Sequence, residues 1–212
     1  MTGFLRQCGS LIRTVAFHAF SFSDTEKWER YDFPSQWEFR LRHISARIPA
    51  AAAVFEFGAG PVGLRPYLHP SCTLTSSDLV PRNPGMMTLD LNRRPLPALL
   101  GIRTEIAVLA GVLEYVSDVG SVAAWLAKHF VTCIATYETA QSARGLNRMR
   151  EVIGRTHAGW VNHFSEREFI DLFCNAGFTL LEQTIWGGVD PETVFVFRKA
   201  DDGIAGRNQD LF

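Results

Sequence analysis

Apolar positions run almost unbroken through residues 51–57 (AAAVFEF) and 105–111 (EIAVLAG). Runs of this length, each next to a glycine, mark strands covered on both faces of a sheet. The same criterion predicts strands at 72–78 (CTLTSSD), 86–91 (MMTLDL) and 130–138 (FVTCIATYE). A helical rhythm takes over after Ser117, a capping residue, with Val119, Val122, Ala123 and Leu126 on one face. Residues 25–48 mix aromatics with charges, and Pro34 divides them into two helical pieces. Residues 139–160 are polar and lack an apolar stripe, which predicts an irregular segment able to act as a lid.

The C-terminal third is more sharply marked. Ser165 and Glu168 form a capping-box signature, Phe169, Leu172, Phe173 and Ala176 make a buried stripe, and Gly177 stops the helix. Two strands follow, FTLLEQTIW (178–186) and TVFVFRK (193–199). The connector between them is too short for a parallel crossover, so as neighbours they pair antiparallel. The expected fold is α/β: a doubly wound, Rossmann-like, seven-stranded sheet, mostly parallel with an antiparallel C-terminal hairpin. The chain divides into a helical extension or lid (1–49), the sheet domain (50–199) and a flexible tail (200–212).

Bulk properties narrow the function classes. A length of 212 residues suits one domain, and a net charge of −1 argues against a protein built to grip nucleic acid. Four cysteines without a CxxC pair fit a reducing compartment, and so a cytoplasmic location, better than disulfides or zinc. No apolar run reaches the roughly 20 residues of a membrane span, and residues 1–23 read as a helix packed on the domain.

The chemistry centres on VFEFGAGPVGL, residues 54–64. Glycines between a strand and a helix let backbone N–H groups approach a phosphate or a carboxylate. Glu56, two residues before Gly58, would repel a pyrophosphate and attract an ammonium or sulfonium. Alone, Gly58, Gly60 and Gly63 also suit an ordinary turn.

Taken together, the segments resemble the class I S-adenosylmethionine-dependent methyltransferases, over about residues 50–199. EFGAG is similar to that family's first motif, SSDLV to the end of its second strand and LDLN to its third motif. LAGVLEYVSD looks like the segment after its fourth strand, and HFSEREFIDLFCNAGFTLLE like the one before its sixth. The resemblance implies S-adenosylmethionine as cofactor, held by Glu56, Phe57, Gly58, Ala59, Gly60, Asp78 and Leu79. It extends the same role to Asp90, Leu91, Gly111 and Val112. It implies Asp78 on the ribose diol and Asp90 facing the adenine amine. The sequence departs from the family in placing Val62 where a third glycine is usual, and Pro61 and Pro66 shorten or kink the first helix.

Methyl transfer by displacement needs alignment in a dry pocket, plus a base where the acceptor must lose a proton. The catalytic candidates are His163, Glu114 and Tyr115, with His163 first because it titrates near neutrality. Trp28, Tyr31, Tyr137 and Trp160 are candidates to wall an acceptor site. No NPPY-type tetrad, PCxxC-like segment or metal-ligand cluster is present. The expectation is therefore a metal-free reaction on a small-molecule or glycan-type acceptor, with no nucleic-acid partner. Plainer readings stand beside these: Asp78 as a loop cap, Asp90 paired with Arg93 or Arg94, Glu114 and Tyr115 on a solvated rim, His163 as a loop histidine. Two rival functions are a non-catalytic module retaining the fold, and a nicotinamide or flavin oxidoreductase reading GAGPVG as its fingerprint.

Overall fold

The computed structural model describes residues 23–35, 37–99, 105–141, 145–186 and 192–200. The helix expected before residue 23, the tail at 201–212, Arg144 and most of the 187–192 connector lie outside them. Seven strands form one sheet in the order β3-β2-β1-β4-β5-β7-β6. They are β1 (Ala53–Phe57), β2 (Thr73–Asp78), β3 (Met87–Thr88), β4 (Ile106–Ala110), β5 (Thr132–Tyr137), β6 (Phe178–Trp186) and β7 (Glu192–Lys199). The first five pair in parallel, and β7 runs antiparallel to both β5 and β6. This is the mixed, doubly wound sheet that the apolar runs predict.

Every residue of β1 and β4 is buried, because helices cover both faces. Side chains alternate across the pleat. Phe55, Phe57, Ala107 and Leu109 join the core under helices α3 (Val119–His129) and α5 (Glu166–Asn175). Val54, Ile106, Val108 and Ala110 join the opposite core, with Leu41 and Ile44 of helix α2 (Trp37–Ser45). Helix α1 (Thr25–Glu29) and α2 are the two pieces that Pro34 separates.

The local signals read differently in three places. Asp118, not Ser117, caps α3: its Oδ1 accepts from Ser121 N at 2.9 Å, while Ser117 N donates to Asn92 Oδ1. Residues 145–157 form a helix, α4 (Gly145–His157), not the irregular segment expected. Its only buried side chains are Arg155 and Thr156, and Leu146, Met149 and Ile153 face outward, so no core-facing apolar stripe announced it. After the glycine turn there is a single 3-10 turn at Arg65–Tyr67 instead of an α-helix. Pro61 and Pro66 each remove a backbone donor, and the crossover to β2 is made by turns alone.

The α5 helix follows the sequence closely. Glu168 N donates to Ser165 Oγ and Ser165 N to Glu168 Oε2, completing the capping box. Phe169 and Phe173 are fully buried, and Gly177 leaves the helix at φ +96°.

Candidate functional site

At the carboxyl end of β1 the chain turns through Gly58, Gly60 and Gly63, with φ of +63°, +61° and +63°. An L side chain is strained there, and space is short as well. A Cβ on Gly58 would lie 2.5 Å from Val112 Cγ2, and one on Gly63 would lie 3.1 Å from Glu56 Oε2. Phe33 packs on Gly60, its ring 3.3 Å from where a Cβ would stand. No α-helix starts behind this turn, so the free N–H groups of a helix N-terminus are not supplied to a ligand.

Glu56 is buried beneath the turn. Pleat alternation sends its side chain to the face opposite Phe57, where Ser76 Oγ donates to Oε2 at 3.0 Å. Burial pushes its carboxyl up to about 7, against the hydrogen bond from Ser76. It does not border the cavity described next.

That cavity, about 280 Å³, opens beyond the carboxyl ends of β1, β2 and β4. Phe57, Gly58, Ala59 and Gly60 line it, as do Asp78, Leu79, Asp90, Leu91, Gly111 and Val112. Asp78 Oδ2 accepts from Gly60 N at 2.7 Å and Oδ1 from Val80 N at 3.0 Å, with Arg82 at 3.6 Å. Its carboxylate thus ties the glycine turn to β2 while acting as a loop cap, and each oxygen keeps a further lone pair. Asp90 Oδ1 accepts from Ser23 Oγ at 2.6 Å and from Asn92 N at 2.8 Å. Its carboxylate therefore pairs with neither Arg93 nor Arg94, whose guanidinium donates to Leu91 O.

An aromatic strap roofs the cavity. Trp28, Phe33 and Trp37 line it; Tyr31 stands behind them, stacked on Trp37 at 5.7 Å. The strap is fixed on both banks. Arg82 donates to Trp28 O at 2.5 Å on one side, and Lys27 Nζ to Ala158 O at 2.7 Å on the other. Lys27 also lies 4.8 Å from the Trp28 ring and 4.7 Å from the Tyr115 ring. Desolvation lowers its pKa to about 8.

Behind Gly111, Arg40 reaches into the cavity lining from α2. Its Nη1 contacts both oxygens of Glu192, at 2.7 and 3.0 Å, and its guanidinium lies 4.8 Å from the Trp37 ring. Its Nε is buried and donates to nothing. Glu114 is buried nearby rather than on a rim: Oε1 accepts from Glu138 N, Oε2 has no partner, and burial and Glu192 push the carboxyl up to about 7.

The acceptor and catalytic candidates separate. Tyr115 and Trp28 line the cavity, and Tyr115, pushed up by burial, accepts from Trp160 Nε1 at 3.0 Å. Tyr137 is a core residue stacked on Phe169 at 4.5 Å, its hydroxyl donating to Asn162 Oδ1 at 2.6 Å. His163 lies against α4, its Nε2 3.3 Å from Thr156 Oγ1 and its carbonyl accepting from Arg148. Neither Tyr137, Trp160 nor His163 is among the residues lining the cavity, and nor is Glu114. Arg40, Lys27, Phe33 and Asn92 escaped the sequence reading. Only the aromatic and basic richness of 25–48 hinted at the first three.

No family profile and no curated protein matches the sequence. Solved structures do. The 1,6-didemethyltoxoflavin-N1-methyltransferase of Burkholderia thailandensis, with S-adenosylhomocysteine bound, superposes at a TM-score of 0.58 and 16% identity over 76% of this chain and 77% of that one. The magnesium protoporphyrin IX methyltransferase of Synechocystis PCC 6803, also with S-adenosylhomocysteine, gives 0.58 and 15% over 89% and 100%. Mitomycin 7-O-methyltransferase gives 0.60 and 14% over 92% and 68%. The chain shares the fold of these enzymes.

Proposed function

From that shared fold we propose that this protein is an S-adenosylmethionine-dependent methyltransferase acting on a small molecule. The observation that carries the reading is the cavity itself. It joins a positive-φ glycine turn, a carboxylate at the end of β2 and a second carboxylate after β3, at the carboxyl ends of a doubly wound sheet. The residues fit the group. Asp78 has lone pairs left for a ribose diol, Asp90 and Asn92 offer polar edges for a base, and the cavity-lining Arg40 guanidinium spends only Nη1 on Glu192. When bound, S-adenosylmethionine supplies a methyl group activated by its sulfonium sulfur.

The chain's own part is to hold, orient and keep dry. Gly58 and Gly60 let the backbone approach closely, and Arg40 receives the carboxylate of the amino-acid end. Trp28, Phe33, Trp37 and Tyr115 exclude water from the roof. We assign the rate to alignment and desolvation and name no general base. His163 faces Thr156, and burial raises the Tyr115 phenol, which keeps its proton and makes a poor base.

A binding module without turnover is the second reading. It is favoured by the carboxylates lining the cavity, Glu38, Asp78 and Asp90, which all accept hydrogen bonds already. An oxidoreductase is disfavoured, because a pyrophosphate would find no helix N-terminus behind the glycine turn. Thermal-shift titration with S-adenosylmethionine, S-adenosylhomocysteine, NAD and FAD tests the reading. Stabilisation by the first two supports it, and a response confined to NAD or FAD refutes it.

A further inference from the structure

The Arg40–Glu192 pair joins two distant parts of the chain at the cavity wall. Arg40 is 5% exposed and comes from α2, whereas Glu192 is the first residue of β7. Both Glu192 oxygens bind one guanidinium nitrogen, Nη1, rather than forking across two. The pairing consumes one corner of the guanidinium, Nη1, and leaves Nη2 without a partner among the described residues, while Nε is sealed in by packing.

Two further contacts fix the group. Trp37 covers it from one side. On another side a Cβ at position 111 would run into Nη1, so the guanidinium sits directly on the Cα of Gly111, itself at φ +66°. The glycine after β4 is thus needed by the arginine as well as by its own backbone angle. Glu114, pushed up to about 7 by burial and by Glu192, lies close by, and Glu192 is the carboxylate hydrogen-bonded to the guanidinium.

We propose that Glu192 is a positioning residue, holding the Arg40 guanidinium over Gly111 so that its unpaired Nη2 receives the carboxylate of the ligand's amino-acid end. This rests on the cofactor reading above. A guanidinium buried without its counter-ion would be unfavourable and free to swing away. With Glu192 it becomes a fixed, directional donor, and a second carboxylate adds charge-assisted hydrogen bonds.

The experiment is calorimetric titration with two probes. S-adenosylhomocysteine carries the amino-acid end; 5′-methylthioadenosine keeps the adenosine and thioether and lacks it. Glu192→Gln is expected to weaken S-adenosylhomocysteine binding at least tenfold and to leave 5′-methylthioadenosine within twofold of the wild type. Unchanged S-adenosylhomocysteine affinity in the folded variant overturns the proposal, as does an equal loss for both probes. Should Glu192→Gln fail to fold, Glu192→Asp keeps the charge but withdraws it by one methylene. A smaller loss confined to S-adenosylhomocysteine then supports the proposal, and no selective loss overturns it. If the wild type binds neither probe, the cofactor reading itself fails, and the proposal with it.

Discussion

Glu56 is the residue whose chemistry differs most from its sequence appearance. An acid before a glycine turn suggests attraction of a cation, yet the carboxyl is buried on the far face of β1 with Ser76 and Gly63. Its pKa stands at about 7 where the ordinary value is 4.5, so the folded state holds a proton that the unfolded state releases. The stability this gives is complete below about 4.5 and is lost as pH rises to about 7. Glu114 acts in the same direction over the same window, whereas Asp118, Glu168 and Glu182 are lowered and act below it. The urea midpoint is therefore expected to fall between pH 5 and 7.5, and Glu56→Gln to remove a measurable part of that fall. An identical slope in the variant contradicts the assignment. A second residue-scale expectation concerns His163. Because its ring bonds Thr156 and it does not line the cavity, His163→Ala should keep methyl transfer within about fivefold. A loss of ~10²–10⁴, the usual worth of a general base, would restore it as one.

Among the elements, those bordered by strong local chemistry were legible. The capping box of α5 and the buried runs of β1 and β4 state their own structure. The α4 helix did not, because it buries almost nothing apolar: Leu146 is 68% exposed and Met149 53%. A helix without a core-facing stripe has no periodic signal to read. The crossover after β1 erred the other way, since the fold leads one to expect a helix and two prolines prevented it. Trp28 and Tyr31 of the strap stood out as aromatics able to wall a site, but its anchoring depends on partners far away in sequence, Arg82 and Ala158. It yields an element-scale expectation. Lys27→Met removes the bond to Ala158 O and the charge over Trp28 and Tyr115, so S-adenosylhomocysteine should dissociate several-fold faster in stopped-flow measurements. In the wild type the same rate should climb as pH passes about 8, where Lys27 loses its proton. Equal rates for the two proteins would show that the strap is not latched at this point.

At the scale of the whole molecule, the sheet order β3-β2-β1-β4-β5-β7-β6 sets where a ligand lies. Parallel β1, β2 and β4 end side by side, which brings Gly58, Asp78 and Gly111 to one cavity although they span more than fifty positions of sequence. The antiparallel β7 then delivers Glu192 to that same end, which a parallel strand in its place would not do. Sequence motifs located ten of the cavity-lining residues because each lies next to a strand end. Beyond Trp28 and Tyr31 they did not reach the strap, nor Arg40, whose places are set by packing across the sheet. The central claim is that this end of the sheet binds an adenosyl ligand with its ribose at Asp78. The most direct test is calorimetric titration of S-adenosylhomocysteine into the wild type and into Asp78→Ala. Saturable one-to-one binding is expected, weakened in the folded variant by about 1.5–3 kcal/mol, the scale of hydrogen bonds to a charged group. The same affinity in both proteins, or no binding to the wild type, would contradict it.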